Sequence, residues 1–437
     1  MPPRALLTTC TLLASCTLAL ACAGAGVRGG SAAVRVAASG ELPTWLGERP
    51  PVTGLAQGGS AGESNADAAP EAVRAGACFL PRRSSDSRVG APTLALVGGN
   101  QLVACWTAGQ GAGAPHRELR CASWTRQEAQ EEQPQAPCGW REAEVVSAAH
   151  GVPVWSPVVG EPIMGACGDA EGGGLALYYS LGRAAGTARH FVRCSVDGGA
   201  SWSAQRMLAA PARGPARAPP LRLDDGTTLL VAAHEREREG GWRWLVFKSA
   251  DEGRTFDRGV AVARDGGLLE PVLLRPRAED DSPSPRTPLL IGASGSAQRV
   301  AVAEALDAVG GAWGEATLAE ALPAPAAPLA AVALQAHGPG ALLVVYSHSL
   351  QQGAAGRGLL VAAVSADAGK TWRRLDTLED ARGRPYEFGA PAAAEDPDSG
   401  AVHIVYTWRG GRELRHQTIE SGAIARRLRE LRQAEAL

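Results

Sequence analysis

The sequence predicts an all-β protein: a six-bladed β-propeller with four-stranded antiparallel blades. Two observations predict it. The pattern Ser-x-Asp-x-Gly-x-Ser/Thr-aromatic occurs three times, as SVDGGASW at 195–202, SADEGRTF at 249–256 and SADAGKTW at 365–372. Aromatic anchors at Trp140, Trp202, Phe256, Trp313 and Trp372 lie 62, 54, 57 and 59 residues apart by subtraction of their positions. That is the period of one four-stranded blade in a radial array.

Each copy of the pattern follows an apolar run that suits a strand: HFVRC, WLVFK and GLLVAAV. The Asp suits a tight loop because its carboxylate accepts backbone N–H groups. The Gly supplies a left-handed conformation that a Cβ penalises. The closing ring tucks under the loop. The motif therefore reads as a hairpin lock. Ser195, Asp197, Gly199, Trp202, Ser249, Asp251, Gly253, Phe256, Ser365, Asp367, Gly369 and Trp372 are assigned structural roles. Two degenerate copies surround Trp313, with the acid shifted to Asp307 and Gly310 in place, and Trp140, after a polar insertion.

Each period carries further short apolar runs. The first has PTLALVG and LVACWTA. The second has GLALYYSLG, the third TTLLVAAHE, the fourth PLLIGAS and the fifth ALLVVYSHS. The sixth, with GAPAAAE, AVHIVYTW and ELRHQTI, lacks a fourth strand, and VRAGACFLP at 73–81 is placed to supply it and close the ring. The propeller thus spans 73–420. The tail at 421–437 reads as a short amphipathic helix with Ile424, Leu428 and Leu431 on one face.

Residues 1–22 have the shape of a secretory signal, with Arg4, an apolar run and then small residues. Cys16 and Cys22 each end a stretch that resembles a bacterial lipobox, so an exported lipoprotein is expected, with an ordinary cleaved signal as the alternative. Residues 23–72 are rich in Gly, Ala and Ser and read as a flexible tether. No later stretch is long and apolar enough for a membrane helix, so membrane contact is expected only through the lipid anchor. The formal net charge of -2 argues against nucleic acid as a partner. Six cysteines remain beyond the leader, all at or before Cys194. In an exported chain they predict disulfides. Our expectation is that Cys121 and Cys138 bracket one loop and that Cys167 and Cys194 join neighbouring strands. The eight His are scattered and the Gly runs lie in turns, so no metal or other cofactor is expected.

The box SxDxGxTW resembles the Asp box, or bacterial neuraminidase repeat, and the chain resembles the sialidase superfamily of six-bladed propellers. APTLALVGGNQLVACWTAG, GPARAPPLRLDDGTTLLVAAHE and the stretch from ALLVVYSHS to ELRH carry the likeness beyond the boxes. The resemblance implies an exo-glycosidase of the sialidase type. Such enzymes use three arginines on the substrate carboxylate, a Tyr nucleophile with a Glu partner, and an Asp acid/base. Arg357 and Glu235 fall where relatives often have Arg and Glu, and Arg409, in YTWRGG, is a second basic position near the last blade. Tyr386 is out of register for the nucleophile, with Glu387 beside it.

The departures matter as much. The first arginine belongs just before the Pro of Val89-Gly90-Ala91-Pro92, with Arg88 displaced. Ala390 stands where a Tyr is expected next to Pro391, and only Glu118 offers an acid near the first loop. The catalytic set is incomplete. The groups expected to face the funnel are Glu161, His234, Glu235, Glu270, His348, Arg357, Tyr386, Glu387 and Arg409. Two readings stay open: a glycosidase acting on glycans, and a non-catalytic propeller that binds a glycan or a surface protein. Either is expected to be a monomer.

Overall fold

A computed structural model of the chain describes residues 74–435, apart from 83–85, 110–117, 126–138, 142–143, 149–151, 169–173, 184–187, 236–241, 263–266, 279–285 and 382–383. The leader, the tether and Cys138 lie outside the described residues.

The strands form six four-stranded antiparallel sheets. β1 (Arg74–Phe79) precedes the first. Blade one is β2 (Arg88–Val97), β3 (Gln101–Gly109), β4 (Glu118–Thr125) and β5 (Glu144–Ala148). Blade two is β6 (Val154–Gly160), β7 (Leu175–Leu181), β8 (Arg189–Ser195) and β9 (Arg206–Met207). Blade three is β10 (Leu221–Arg222), β11 (Thr228–Glu235), β12 (Trp242–Ser249) and β13 (Val260–Val262). Blade four is β14 (Val272–Leu274), β15 (Leu289–Ser294), β16 (Arg299–Glu304) and β17 (Thr317–Pro323). Blade five is β18 (Ala330–Ala333), β19 (Leu342–Ser347), β20 (Leu359–Ser365) and β21 (Arg373–Asp380). Blade six is β22 (Gly389–Glu395), β23 (Val402–Trp408) and β24 (Glu413–Ile419), completed by β1. β1 runs antiparallel to β24, with Arg74 opposite Ile419 and Phe79 opposite Arg415.

A single blade cannot bury both of its faces, so the core lies between blades. Six apolar clusters fill the gaps between neighbours. Leu102 and Trp106 meet Val405 and Leu414 between blades one and six. Val103 and Leu119 meet Leu177 and Tyr179 between blades one and two. The anchors sit in these gaps at matching positions. Trp202 packs into the first–second gap and Phe256 into the second–third. Trp313 occupies the third–fourth and Trp372 the fourth–fifth. Trp140 belongs to the sixth–first. In the fifth–sixth gap the place is taken by Ile424, Leu428 and Leu431 of the C-terminal helix, Ser421–Glu435. No helix among the described residues is long and apolar enough to cross a membrane.

The boxes close by one repeated network. Ser195 Oγ donates to Asp197 Oδ1 at 2.7 Å and accepts from Gly199 N at 2.8 Å, and the carboxylate accepts Ser201 N and Oγ at 2.8 and 2.5 Å. Ser249, Asp251, Gly253 and Thr255 repeat it, as do Ser365, Asp367, Gly369 and Thr371. Gly199, Gly253 and Gly369 have φ of 88°, 83° and 90°. In the degenerate copy the Asp307 carboxylate accepts the N–H groups of Val309, Gly311 and Ala312.

Among the described residues there are two disulfides, compatible with an exported protein. Cys121 is bonded to Cys105, not to Cys138. The two residues face each other across β3 and β4, Cα to Cα 4.1 Å, so pairing register decides the bond. Cys194 of β8 is bonded to Cys167, which ends the short helix Met164–Cys167 rather than a strand.

Candidate functional site at the funnel mouth

The first strands of neighbouring sheets touch one another, β2 with β6 and β22, and β18 with β14 and β22, so they line the axis. Antiparallel pairing sorts the loops into two ends. The Asp boxes follow third strands. The opposite end holds the starts of first and third strands and the ends of second strands. The candidate residues gather at that opposite end.

First strands there share a kink. Ala91, Ser156 and Ala390 have φ of 45°, 46° and 45°, each directly before a Pro and each at a register shift in the ladder. A non-glycine residue in this region is held there by its surroundings, at a cost of about 1–3 kcal/mol. The kink aims the x-Pro segments of blades one, two and six. Blade two uses Ser156-Pro157 for it, so Glu161, before a second Pro, follows β6 and stands at the Asp-box end. The expectation that Glu161 faces the funnel mouth is therefore corrected.

One buried polar feature was missed in the sequence. Arg217 lies in the Pro-rich segment leading to β10, and its side chain is only 5% exposed. Its Nη2 donates to Pro391 O of β22 at 2.5 Å, reaching from blade three to blade six. Its Nε lies 4.0 Å from Glu270 Oε2, in the lead to β14, and has no hydrogen-bond partner among the described residues. Glu270 is 31% exposed. Burial lowers the affinity of Arg217 for its proton and raises that of Glu270, and the attraction within the pair opposes both shifts.

A second group lies at the rim. Arg357, in the 3-10 turn Ala354–Arg357, donates from Nη2 and Nε to Glu387 Oε2 at 2.7 and 3.1 Å. Its side chain is 14% exposed and that of Glu387 30%. Arg409 has φ of 49° and lies between two rings, Cζ 3.9 Å from the Trp408 centroid and 4.6 Å from that of Tyr386. Such cation–π contacts orient the guanidinium and leave its donors at the rim. Gly410 N donates to Glu387 O, and Phe388 N to Arg357 O, fastening the two segments. The structure thus brings Arg357, Tyr386, Glu387 and Arg409 together. Glu235 is placed at the end of β11 opposite Trp242, but its side chain and that of His234 lie outside the described residues.

Other polar groups at this end are engaged by neighbours. Glu118 Oε2 accepts Arg120 Nη2 at 2.7 Å, and Arg120 Nη1 donates to Asp86 at 2.7 Å. His348 Nδ1 lies 2.6 Å from Tyr346 Oη. His190 Nδ1 lies 2.7 Å from Ser180 Oγ and is held at about 4 by burial and by Arg213. Among the described residues no three His, Cys, Asp or Glu side chains are grouped to hold a metal ion.

Residues 100–404 match the model of the BNR repeat-like domain. No curated protein sequence matches the chain. Several solved structures share the fold at low identity. A protein of unknown function from Dyadobacter fermentans has a TM-score of 0.59 at 15% identity, over 80% of this chain and 98% of that one. The Hadza microbial sialidase Hz136 has 0.57 at 14%, over 78% and 67%. Trypanosoma rangeli sialidase in complex with sialic acid has 0.58 at 13%, over 84% of this chain and 62% of its own. The inter-blade anchors, the repeated boxes and these matches agree: the chain belongs to the BNR repeat-like domain family and is a sialidase-like six-bladed propeller.

Proposed function

We propose that the funnel binds an acidic glycan without sialidase-type hydrolysis. The observation that carries this reading is Arg217: a buried guanidinium whose Nε lacks a hydrogen-bond partner among the described residues. A buried unsatisfied donor is costly, and an anionic group entering the axis relieves it. Sialic acid bound to a sialidase of the same fold supports a glycan as the class of ligand. The missing groups argue against the family chemistry. The stretch Val89-Gly90-Ala91-Pro92 has no arginine before its Pro, where the first one belongs, and Ala390 stands where the nucleophile belongs, while Glu387 occupies Arg357.

A second reading is a glycosidase that relies on carboxylates alone. Glu270 favours it, because burial raises its pKa toward that of a general acid. Calorimetry with sialyllactose and with a uronic-acid disaccharide tests the first reading, beside turnover on a panel of aryl glycosides. Binding that falls at least tenfold in Arg217→Met, with no turnover on any substrate, supports it. Turnover that disappears in Glu270→Gln selects the second. Export on a lipid anchor belongs to the same proposal. Palmitate labelling lost in Cys16→Ala but retained in Cys22→Ala, or the reverse, identifies the modified cysteine; labelling of neither variant's parent refutes the anchor.

A further inference from the structure

The Asp-box end carries a cavity of about 310 Å³ beside the C-terminal helix. That volume is at the small end of the range for small-molecule sites. Its charged lining is Arg277, Arg429, Arg432 and His337; no acidic side chain lines it. Three elements supply these groups. Arg277 follows β14, His337 belongs to the 3-10 turn Gln335–His337 after β18, and the other two arginines lie on one face of the helix. Leu428 also faces the cavity, from the side that anchors the helix in the core.

The arrangement is built. Arg277 Nη1 donates to Gln335 O at 3.1 Å, and Arg432 Nη2 to His337 O at 3.0 Å, which fixes both guanidiniums at the rim. His337 Nε2 lies 2.7 Å from Gly400 O; a carbonyl only accepts, so that nitrogen carries the proton. The carboxylate of Glu395, within electrostatic reach of His337, is engaged by the 3-10 turn. Its two oxygens accept Gln335 N at 2.6 Å and Ala336 N at 3.1 Å. Glu430 is engaged by Arg427 at 2.7 Å. Arg429 makes no hydrogen bond or ion pair among the described residues and is exposed.

We propose that this cavity binds a tetrahedral oxyanion, the phosphate or sulfate monoester of a small sugar. Three guanidiniums approaching from two elements match a group with three terminal oxygens better than a carboxylate with two. The helix C-terminus nearby opposes an anion only weakly, and charge-assisted hydrogen bonds from two guanidiniums outweigh that opposition. The site is independent of the funnel reading, because it lies at the other end of the ring.

Calorimetry on the full chain at low salt tests the proposal, with glucose 6-phosphate, N-acetylglucosamine 6-sulfate, inorganic phosphate and neutral glucose as probes. The expected result is saturable one-to-one binding of at least one ester, weakening with added salt, and no binding of glucose. Arg429→Ala should weaken it at least tenfold with an unchanged melting temperature. Arg409→Ala, at the funnel rim, should leave it unaltered. Phosphate against sulfate affinity separates the two ester sources. No saturable binding of any ester, binding insensitive to Arg429→Ala, binding lost in Arg409→Ala, or affinity only for phosphatidylglycerol vesicles would each overturn it.

Discussion

Arg217 of the third blade places its guanidinium on the carbonyl of Pro391 in the sixth, at 2.5 Å. It is a direct link across the axis between non-neighbouring blades. Pro391 follows the left-handed Ala390, so the kinked backbone of β22 presents that carbonyl inward. One residue therefore ties funnel geometry to ring stability.

Replacing it should show in both. Arg217→Met removes a charged hydrogen bond and leaves the Pro391 carbonyl and Glu270 without it. The expected loss is about 2–3 kcal/mol, read as a lowered urea midpoint. Arg217→Lys should recover little, since an ammonium lacks the planar fork. Full stability in the methionine variant would refute the link.

The boxes should matter for stability alone. Ser365 is buried, and its hydroxyl both donates to Asp367 and accepts from Gly369. Ser365→Ala strands two partners and should cost about 1–3 kcal/mol. Ligand affinity at the funnel, on the far side of the ring, should be unchanged. A variant that lost binding while keeping its melting temperature would give the boxes a different role.

Acid should unfold the protein in two stages. His416 is held at about 3, first by burial and then by His403, whose Nδ1 lies 3.1 Å from its Nε2. The unfolded chain takes up this proton near 6.5 and the folded one does not, so stability falls from about pH 6.5 down to about 3. At pH 5 that difference amounts to about 2 kcal/mol. Asp197 and Asp251 act lower. Their hydrogen bonds from Ser201 and Thr255 hold them at about 2, so their contribution is present above about pH 4 and is lost between 4 and 2. Melting temperatures across this range should fall less steeply between pH 6.5 and 5 in His416→Gln. An identical profile would mean that the imidazole is not the group responsible.

The disulfide between Cys167 and Cys194 closes a separation of 27 residues. Its removal should cost about 3–4 kcal/mol through the unfolded chain. Peptide mapping without reductant should recover it together with Cys105–Cys121. Cys78 is buried, its Sγ 3.6 Å from His416 Nδ1, and should resist alkylation until the protein is unfolded. Rapid labelling of Cys78 in the native protein would contradict that burial.

Much of the ring was legible because its signals are local. A box records a turn, an anchor records a gap between sheets, and together their spacing counts blades. The strand at 74–79 was legible because blade six lacked a partner for ELRHQTI. The site was harder. Arg217 sits in LAAPARGPARAPP, a segment with no periodicity, and its meaning depends on a carbonyl 174 residues away. Glu161 was misplaced because WSP and GEP both offer a Pro near one strand, and only the backbone kink at Ser156 shows which belongs at the mouth. The partner of Cys121 was misjudged because loop length suggested Cys138, whereas the register of β3 and β4 sets Cys105 opposite it.

The sheet that joins β1 to β24 has a consequence for biogenesis. A chain emerging from its N-terminus must hold residues 74–79 unmatched until residue 419 has appeared. Blade six is therefore the last to close, and severing the link between residues 79 and 88 after assembly should leave the circle shut by hydrogen bonds alone.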